Sequence, residues 1–149
     1  MSLPAPNVEK LKFRIGLTGT FWDQQPKFTV WVDETKLAEG VASAEIQYIE
    51  FFIEVDNDLK HELKVRLENK TDRDTVTDND IIVKDMLLNI ESVEIDGIDI
   101  GHLKWVASKF YPDDTATRPV LDGCVNLGWN GAYTIEFTCP YYLWLLENL

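Results

Sequence analysis

Hydrophobic and polar positions alternate with a period of two along most of this chain. Leu11, Phe13, Ile15 and Leu17 are separated by Lys12, Arg14 and Gly16. Phe28, Val30 and Val32 alternate with Thr29, Trp31 and Asp33, and Phe51, Ile53 and Val55 alternate with Phe52, Glu54 and Asp56. Leu63, Val65 and Leu67 are flanked by Glu62, Lys64, Arg66 and Glu68, and Tyr133, Ile135 and Phe137 are separated by Thr134 and Glu136. Successive side chains of a strand point to opposite faces, so each run predicts a strand with one face buried. Met86, Leu88 and Ile90 keep one phase while Val93 and Ile95 keep the other. A slip of one residue near Glu91-Ser92 predicts a β-bulge, which inserts one extra residue into a strand.

Turn signals separate the runs. Asp96-Gly97 and Asn130-Gly131 predict type I′ hairpins, because both central residues of that turn need positive φ. Asp122-Gly123 and Asp56-Asn57-Asp58 predict looser turns. No segment longer than about ten residues keeps a helical period. Many short strands at this spacing predict an all-β, antiparallel sandwich or barrel, as a single domain over residues 1–149. The run from Pro140 to Leu149 is almost wholly apolar. It reads either as a last strand buried on both faces or as a segment that docks on a neighbouring subunit, making a homo-oligomer or assembly contact.

The two cysteines, Cys124 and Cys139, are too few for a disulfide scaffold and form no CxxC pair. A hairpin centred on Asn130-Gly131 would make them diagonal neighbours about 7 Å or more apart, at the limit for a bridge. Free thiols are expected unless the register slips.

A chain of 149 residues, 45% apolar and 11% aromatic, can bury a proper core. The formal net charge of −12 argues against nucleic acid and against anionic membrane surfaces as partners. No apolar run approaches the about 20 residues that span a bilayer, and the start does not read as a signal peptide, so localisation stays open. Histidine occurs twice, at His61 and His102, and neither lies in a catalytic motif. There is no G-x-S-x-G, P-loop or zinc-protease motif. A non-catalytic domain is expected.

Two features carry candidate chemistry. Asp72, Asp74, Asp78, Asp80 and Asp85 fall within the segment 72–85, just before an apolar strand pattern. Crowded carboxylates repel one another, and calcium takes about 6–8 oxygen ligands, so the loop reads either as a cation site or as a solvated acidic surface. The second feature is the supply of aromatic rings. Sugars stack C–H faces on such rings while their hydroxyls need polar partners. Trp129 borders a predicted turn, and Trp31 is out of phase with its buried neighbours. Both read as candidate ligand-binding residues, with core packing as the alternative.

Three motifs in order carry a resemblance. Pro26-Lys-Phe-Thr-Val-Trp-Val-Asp33 fits a strand of form P-x-hydrophobic-x-V-x-V-D. His61-Glu-Leu-Lys-Val-Arg-Leu-Glu-Asn69 fits H-x-hydrophobic-x-V-x-F-x-N with Leu67 for the Phe. After the acidic loop, Asp85-Met-Leu-Leu-Asn-Ile-Glu91 stands where the pattern has D-R-N-L-Y-V-D, with Gly97 in the matching place. Over Leu17 to Gly97 the chain thus resembles the calcium-dependent, xylan-binding carbohydrate-binding modules, which are β-sandwich jelly rolls. The resemblance implies that fold, a glycan or polysaccharide partner, and Ca2+ held by Asp85 and, by loop position, by Asp74, Asp78 and Asp80. Met86 and Leu87 replace the pattern's Arg and Asn, and Glu91 its last Asp. Two readings follow: a glycan-binding module, with or without calcium, and a structural or assembly domain, such as a virion- or tail-associated protein, on the same scaffold without sugar binding.

Overall fold

The computed structural model describes residues 7–148. In chain order the strands are β1 (Val8–Thr20), β2 (Lys27–Val32), β3 (Thr35–Val41), β4 (Gln47–Asp56), β5 (Lys60–Leu67), β6 (Val76–Asp78), β7 (Ile81–Lys84), β8 (Leu87–Ile95), β9 (Ile98–Asp99), β10 (Ser108–Pro112), β11 (Leu121–Asp122), β12 (Asn126–Leu127) and β13 (Gly131–Thr138). Two short helices, α1 (Leu103–Val106) and α2 (Tyr141–Asn148), complete the chain with a 3-10 turn at Asp72–Asp74.

All pairings are antiparallel. One sheet has the order β12-β8-β1-β4, with β9 on β8; the other has β11-β10-β13-β5-β2-β3; β6 and β7 form a separate ribbon. This is a β-sandwich, one of the two antiparallel architectures that the alternation predicts and, as a jelly roll, the one that the resemblance implies. Leu11, Phe13, Ile15 and Leu17 on one sheet face inward with Val30, Val65, Tyr133 and Ile135 on the other, and all are fully buried. Phe13 stacks on Phe51 at 5.2 Å within its sheet and reaches Phe137 of the opposite sheet at 5.9 Å. Rings joined across the two layers bury apolar area from both at once.

The slip in β8 is a bulge. Gly16 lies opposite Ser92 and Leu17 opposite Ile90, which leaves Glu91 without a partner on β1. Ile90 and Val93 therefore both point into the core. Asp96-Gly97 forms the expected tight turn, with φ of 53° and 77°, and joins β8 to β9.

Two expectations are corrected. Asn130-Gly131 is not a hairpin turn: β12 pairs with β8 in one sheet and β13 with β10 and β5 in the other. The segment between them carries the chain across the sandwich. Glycine is needed at Gly131 for close approach, since a Cβ there would stand 2.4 Å from the Tyr111 carbonyl. The cysteine register built on that hairpin falls with it, although both thiols are free. The C-terminal apolar run is a helix, not a strand. Tyr141, Trp144 and Leu145 are buried at helical spacing, while Tyr142, Leu143 and Leu146 are exposed. Trp144 meets Phe137 edge-on at 6.4 Å, which seats the helix on β13. The Glu9 carboxylate accepts the Tyr141 N–H at 3.0 Å, which satisfies one of the free donors at the start of α2. No helix among the described residues is long and apolar enough to cross a membrane.

Candidate functional site

A cleft of 520 Å³ opens at one end of the sandwich, between the segment after β5, the β6–β7 ribbon, the loop after β10 and the crossover before β13. That volume lies within the about 300–1,000 Å³ usual for small-ligand sites. Its walls include Lys70, Asp85, Asp113, Asp114, Arg118 and Trp129.

Asn130 closes the back of the cleft. Its side-chain oxygen accepts the Lys70 N–H at 2.7 Å and its amide donates to the Lys70 carbonyl at 3.0 Å. Its own carbonyl accepts the Asp113 N–H at 2.9 Å. One residue thus ties the crossover to two walls, to Lys70 through its side chain and to Asp113 through its backbone carbonyl. Trp129, half-buried beside it, packs on Phe110 at 6.4 Å, and the Arg118 guanidinium lies 4.4 Å from its ring centre. Asp113 is held by Arg66 at 2.9 Å to both oxygens. Asp114 accepts the Thr117 hydroxyl, which with the Thr117 N–H holds its carboxyl below the usual range.

Lys70 and Asp85 form the inner wall. The Lys70 ammonium donates to Asp85 Oδ1 and, at 2.7 Å, to the Met86 carbonyl. Its side chain is only 9% exposed. Asp85 Oδ1 also accepts the Thr75 hydroxyl at 2.7 Å and the Met86 N–H at 2.8 Å. Burial works against the Asp85 carboxylate, but Lys70 and these donors outweigh it and hold its carboxyl below the usual range.

The four aspartates expected to gather around an ion lie in three places. Asp85 is in the cleft and paired with Lys70. Asp74 is 1% exposed and folded back on its own turn, where Oδ2 accepts Thr71 N at 2.7 Å, Thr71 Oγ1 at 3.0 Å and Gln24 Nε2 at 3.0 Å. Burial raises the Asp74 carboxyl, but these donors bring it below the usual range. Asp78 ends β6 and Asp80 sits with Asn79 in the ribbon turn, both exposed, with φ of 53° at Asn79 and 65° at Asp80. Among the described residues no three histidine, cysteine or acidic side chains gather as a metal ion would need. The residues present do not fit a hard-cation shell: Asp74 caps, Asp78 and Asp80 shape a turn, and the Asp85 oxygen is engaged by an ammonium. Asp74 and Asp85 each accept a nearby backbone N–H and Asp80 takes a positive φ, roles that short polar side chains suit best.

Of the two tryptophans singled out, Trp129 lines the cleft. Trp31 is half-buried on the outer face of the β2 sheet, where its indole N–H donates to Thr29 at 2.9 Å. Trp22, by contrast, leans on the acidic loop, with its N–H on the Asp74 carbonyl at 3.0 Å and Lys84 4.8 Å from its ring centre. Lys70, Asp113, Asp114, Arg118 and Asn130 carried no site signal in the sequence. They come from three separate segments, and only the Asn130-Gly131 pair looked special, for a turn it does not make.

No family model matches the chain. A cell wall isozyme of beta-fructofuranosidase from Pisum sativum is 31% identical over 145 residues, covering 87% of this chain and 23% of that protein. The chain therefore spans less than a quarter of the relative's length. Two solved structures share the fold. One is vCBM60 in complex with galactobiose, with TM-score 0.56, 11% identity, and coverage of 83% of this chain and 96% of that one. The other is a selenomethionine form of vCBM60, described as linking two families of calcium-dependent carbohydrate binding modules by circular permutation. Its TM-score is 0.56 at 10% identity, covering 84% of this chain and 89% of that one. The chain resembles these modules in fold over most of its length.

Proposed function

We propose that this domain is a non-catalytic glycan-binding module whose ligand lies in the cleft along Trp129. The observation that carries this reading is the combination in one cleft of a half-buried indole with carboxylates, an ammonium and a guanidinium. A sugar ring offers an apolar C–H face and a rim of hydroxyls, and it needs both kinds of partner together. Trp129 supplies the apolar face; Asp85, Asp113, Asp114, Lys70 and Asn130 supply acceptors and donors. The likeness to a module solved with galactobiose supports the same class of ligand. No glycosidic cleavage is assigned to it. His61, the buried histidine, is tied to Asp33 and to the Asp56 carbonyl, outside the cleft.

Titration calorimetry with galactobiose and xylobiose tests the reading. We expect measurable binding to at least one, weakened about tenfold or more by Trp129→Ala, the effect of losing about 1.4 kcal/mol of ring contact. Binding unchanged by Trp129→Ala would move the ligand out of this cleft. No binding to either sugar, or to a wider panel of neutral oligosaccharides, would leave the second reading.

That second reading is a structural or assembly domain. It is supported by the apolar surface left bare on α2, at Tyr142, Leu143 and Leu146, and on β7, at Ile81, Ile82 and Val83. A homo-oligomer or assembly contact would cover such surface. Sedimentation velocity on the whole chain distinguishes it, since a glycan module needs no partner copy.

A further inference from the structure

We infer that the Lys70 ammonium is the resident cation of the cleft, standing where a divalent ion would otherwise gather the Asp85 carboxylate and the Met86 carbonyl, and that ligand binding here needs no calcium. The inference rests on the glycan-binding reading for its ligand, but its cation half stands on geometry alone. A hard cation in a protein collects carboxylate and backbone carbonyl oxygens. Those two kinds of oxygen are present in the inner wall, on adjacent residues, and both accept from one nitrogen. The lysine stem is buried along the wall, so its charge sits in a fixed place rather than in solvent. The remaining candidate ligands are elsewhere: Asp74 is satisfied by Thr71 and Gln24, and Asp78 and Asp80 are in the ribbon.

An ammonium differs from calcium in what it leaves for a ligand. It has three N–H donors, of which two are used here. The third can donate to one sugar hydroxyl, whereas calcium would take a hydroxyl as a ligand. Lys70 thus keeps a positive centre in the wall without the metal, and its position is set by the Asn130 side chain, which brackets the Lys70 backbone from both sides. The departures at Met86 and Leu87 fit the same picture. Met86 is fully buried, offering only its backbone N–H and carbonyl to the site, and Leu87 packs beside Gly128.

The experiment compares the whole chain in millimolar calcium and in excess chelator at matched ionic strength, reading Tm and galactobiose binding. We expect the same Tm and the same affinity in both. A reversible rise of about 5 °C or more with calcium, the size a specific ligand well above its Kd produces, overturns the inference. So does loss of binding on chelation. Lys70→Met and Lys70→Ala are the second arm: about tenfold weaker galactobiose binding in a variant whose circular dichroism matches the parent supports the inference, and parental affinity overturns it. If a variant fails to fold, the calcium and chelator arms on the parent still decide. If the parent binds no sugar in either condition, the functional reading fails, while the Tm comparison alone settles whether a divalent ion enters the wall.

Discussion

His61 shows how one side chain joins two distant stretches of sequence. Its Nδ1 meets Asp33 Oδ2 at 2.7 Å and its Nε2 meets the Asp56 carbonyl at 2.6 Å. Both partners are acceptors, so the imidazolium, which donates from both ring nitrogens, is the form that satisfies both. Burial lowers the His61 pKa, but the Asp56 carbonyl and Asp33 together raise it above the ordinary value of about 6.5. A group whose folded pKa is raised stabilises the fold fully below its unfolded pKa, and that contribution is lost as pH rises through the folded value. We therefore expect Tm to fall as pH rises from about 6.5 through the raised value, and His61→Gln to flatten that part of the profile in a thermal scan. A His61→Gln profile with the parental slope would place the titration on another group. Asp33 also accepts the Glu62 N–H at 2.9 Å, so the aspartate that closes the first resemblance motif and the histidine that opens the second meet in space. Asp33 and His61, the ends of the two motifs, thus form a structural clasp.

Elements follow their local pattern wherever a neighbouring strand accepts it. The Glu91 bulge was legible because a phase slip leaves a mark in one strand's own sequence. The Asn130-Gly131 error arose because a turn signal says nothing about which strands flank it. Gly131 begins β13 under the Tyr111 carbonyl and Pro112. Gly131→Ala should cost about 1–3 kcal/mol in urea unfolding, the usual size of forcing a group into packed backbone. It should also disturb the cleft, since Asn130 precedes it. Helix α2 escaped sequence reading because an eight-residue run that is apolar nearly throughout carries no period of its own. Its start depends on Glu9, from the other end of the described chain. Glu9→Ala should lower stability by about 1 kcal/mol, as loss of a helix-terminus acceptor does, read as a Tm decrease with little change in cleft binding.

The charge of the whole molecule bears on what the cleft accepts. Four carboxylates, Asp72, Asp85, Asp113 and Asp114, face two cations, Lys70 and Arg118, in the cleft wall. The chain as a whole carries −12. Anionic polysaccharides should be disfavoured by the cleft and by the surrounding field. We expect neutral oligosaccharides to bind in preference to uronic-acid oligomers of the same length, with the gap narrowing as salt rises toward about 1 M, where the screening length falls to about 3 Å. Equal affinity for both at low salt would show that these carboxylates do not face the ligand.

Alternation of apolar and polar residues is a local property, and it was enough to mark the long strands β1, β2, β4, β5, β8 and β13, the bulge in β8 and an all-β antiparallel class, while the Asp-Gly signal marked the turn at Asp96-Gly97. The neighbouring Asn130-Gly131 signal marked Trp129 as a candidate ligand residue, and Trp129 lines the cleft. Tertiary structure alone decided the rest, because the remaining choices depend on partners far away in sequence. Asp85 reads in sequence as a carboxylate in an acidic loop, and the fold sets Lys70 beside it across the 70–85 loop. Arg118, Asp113 and Asn130 acquired a shared cleft only when β10, β13 and β5 paired. A carboxylate in sequence is a charge without a counter-ion; the fold supplies the counter-ion, and with it the chemistry.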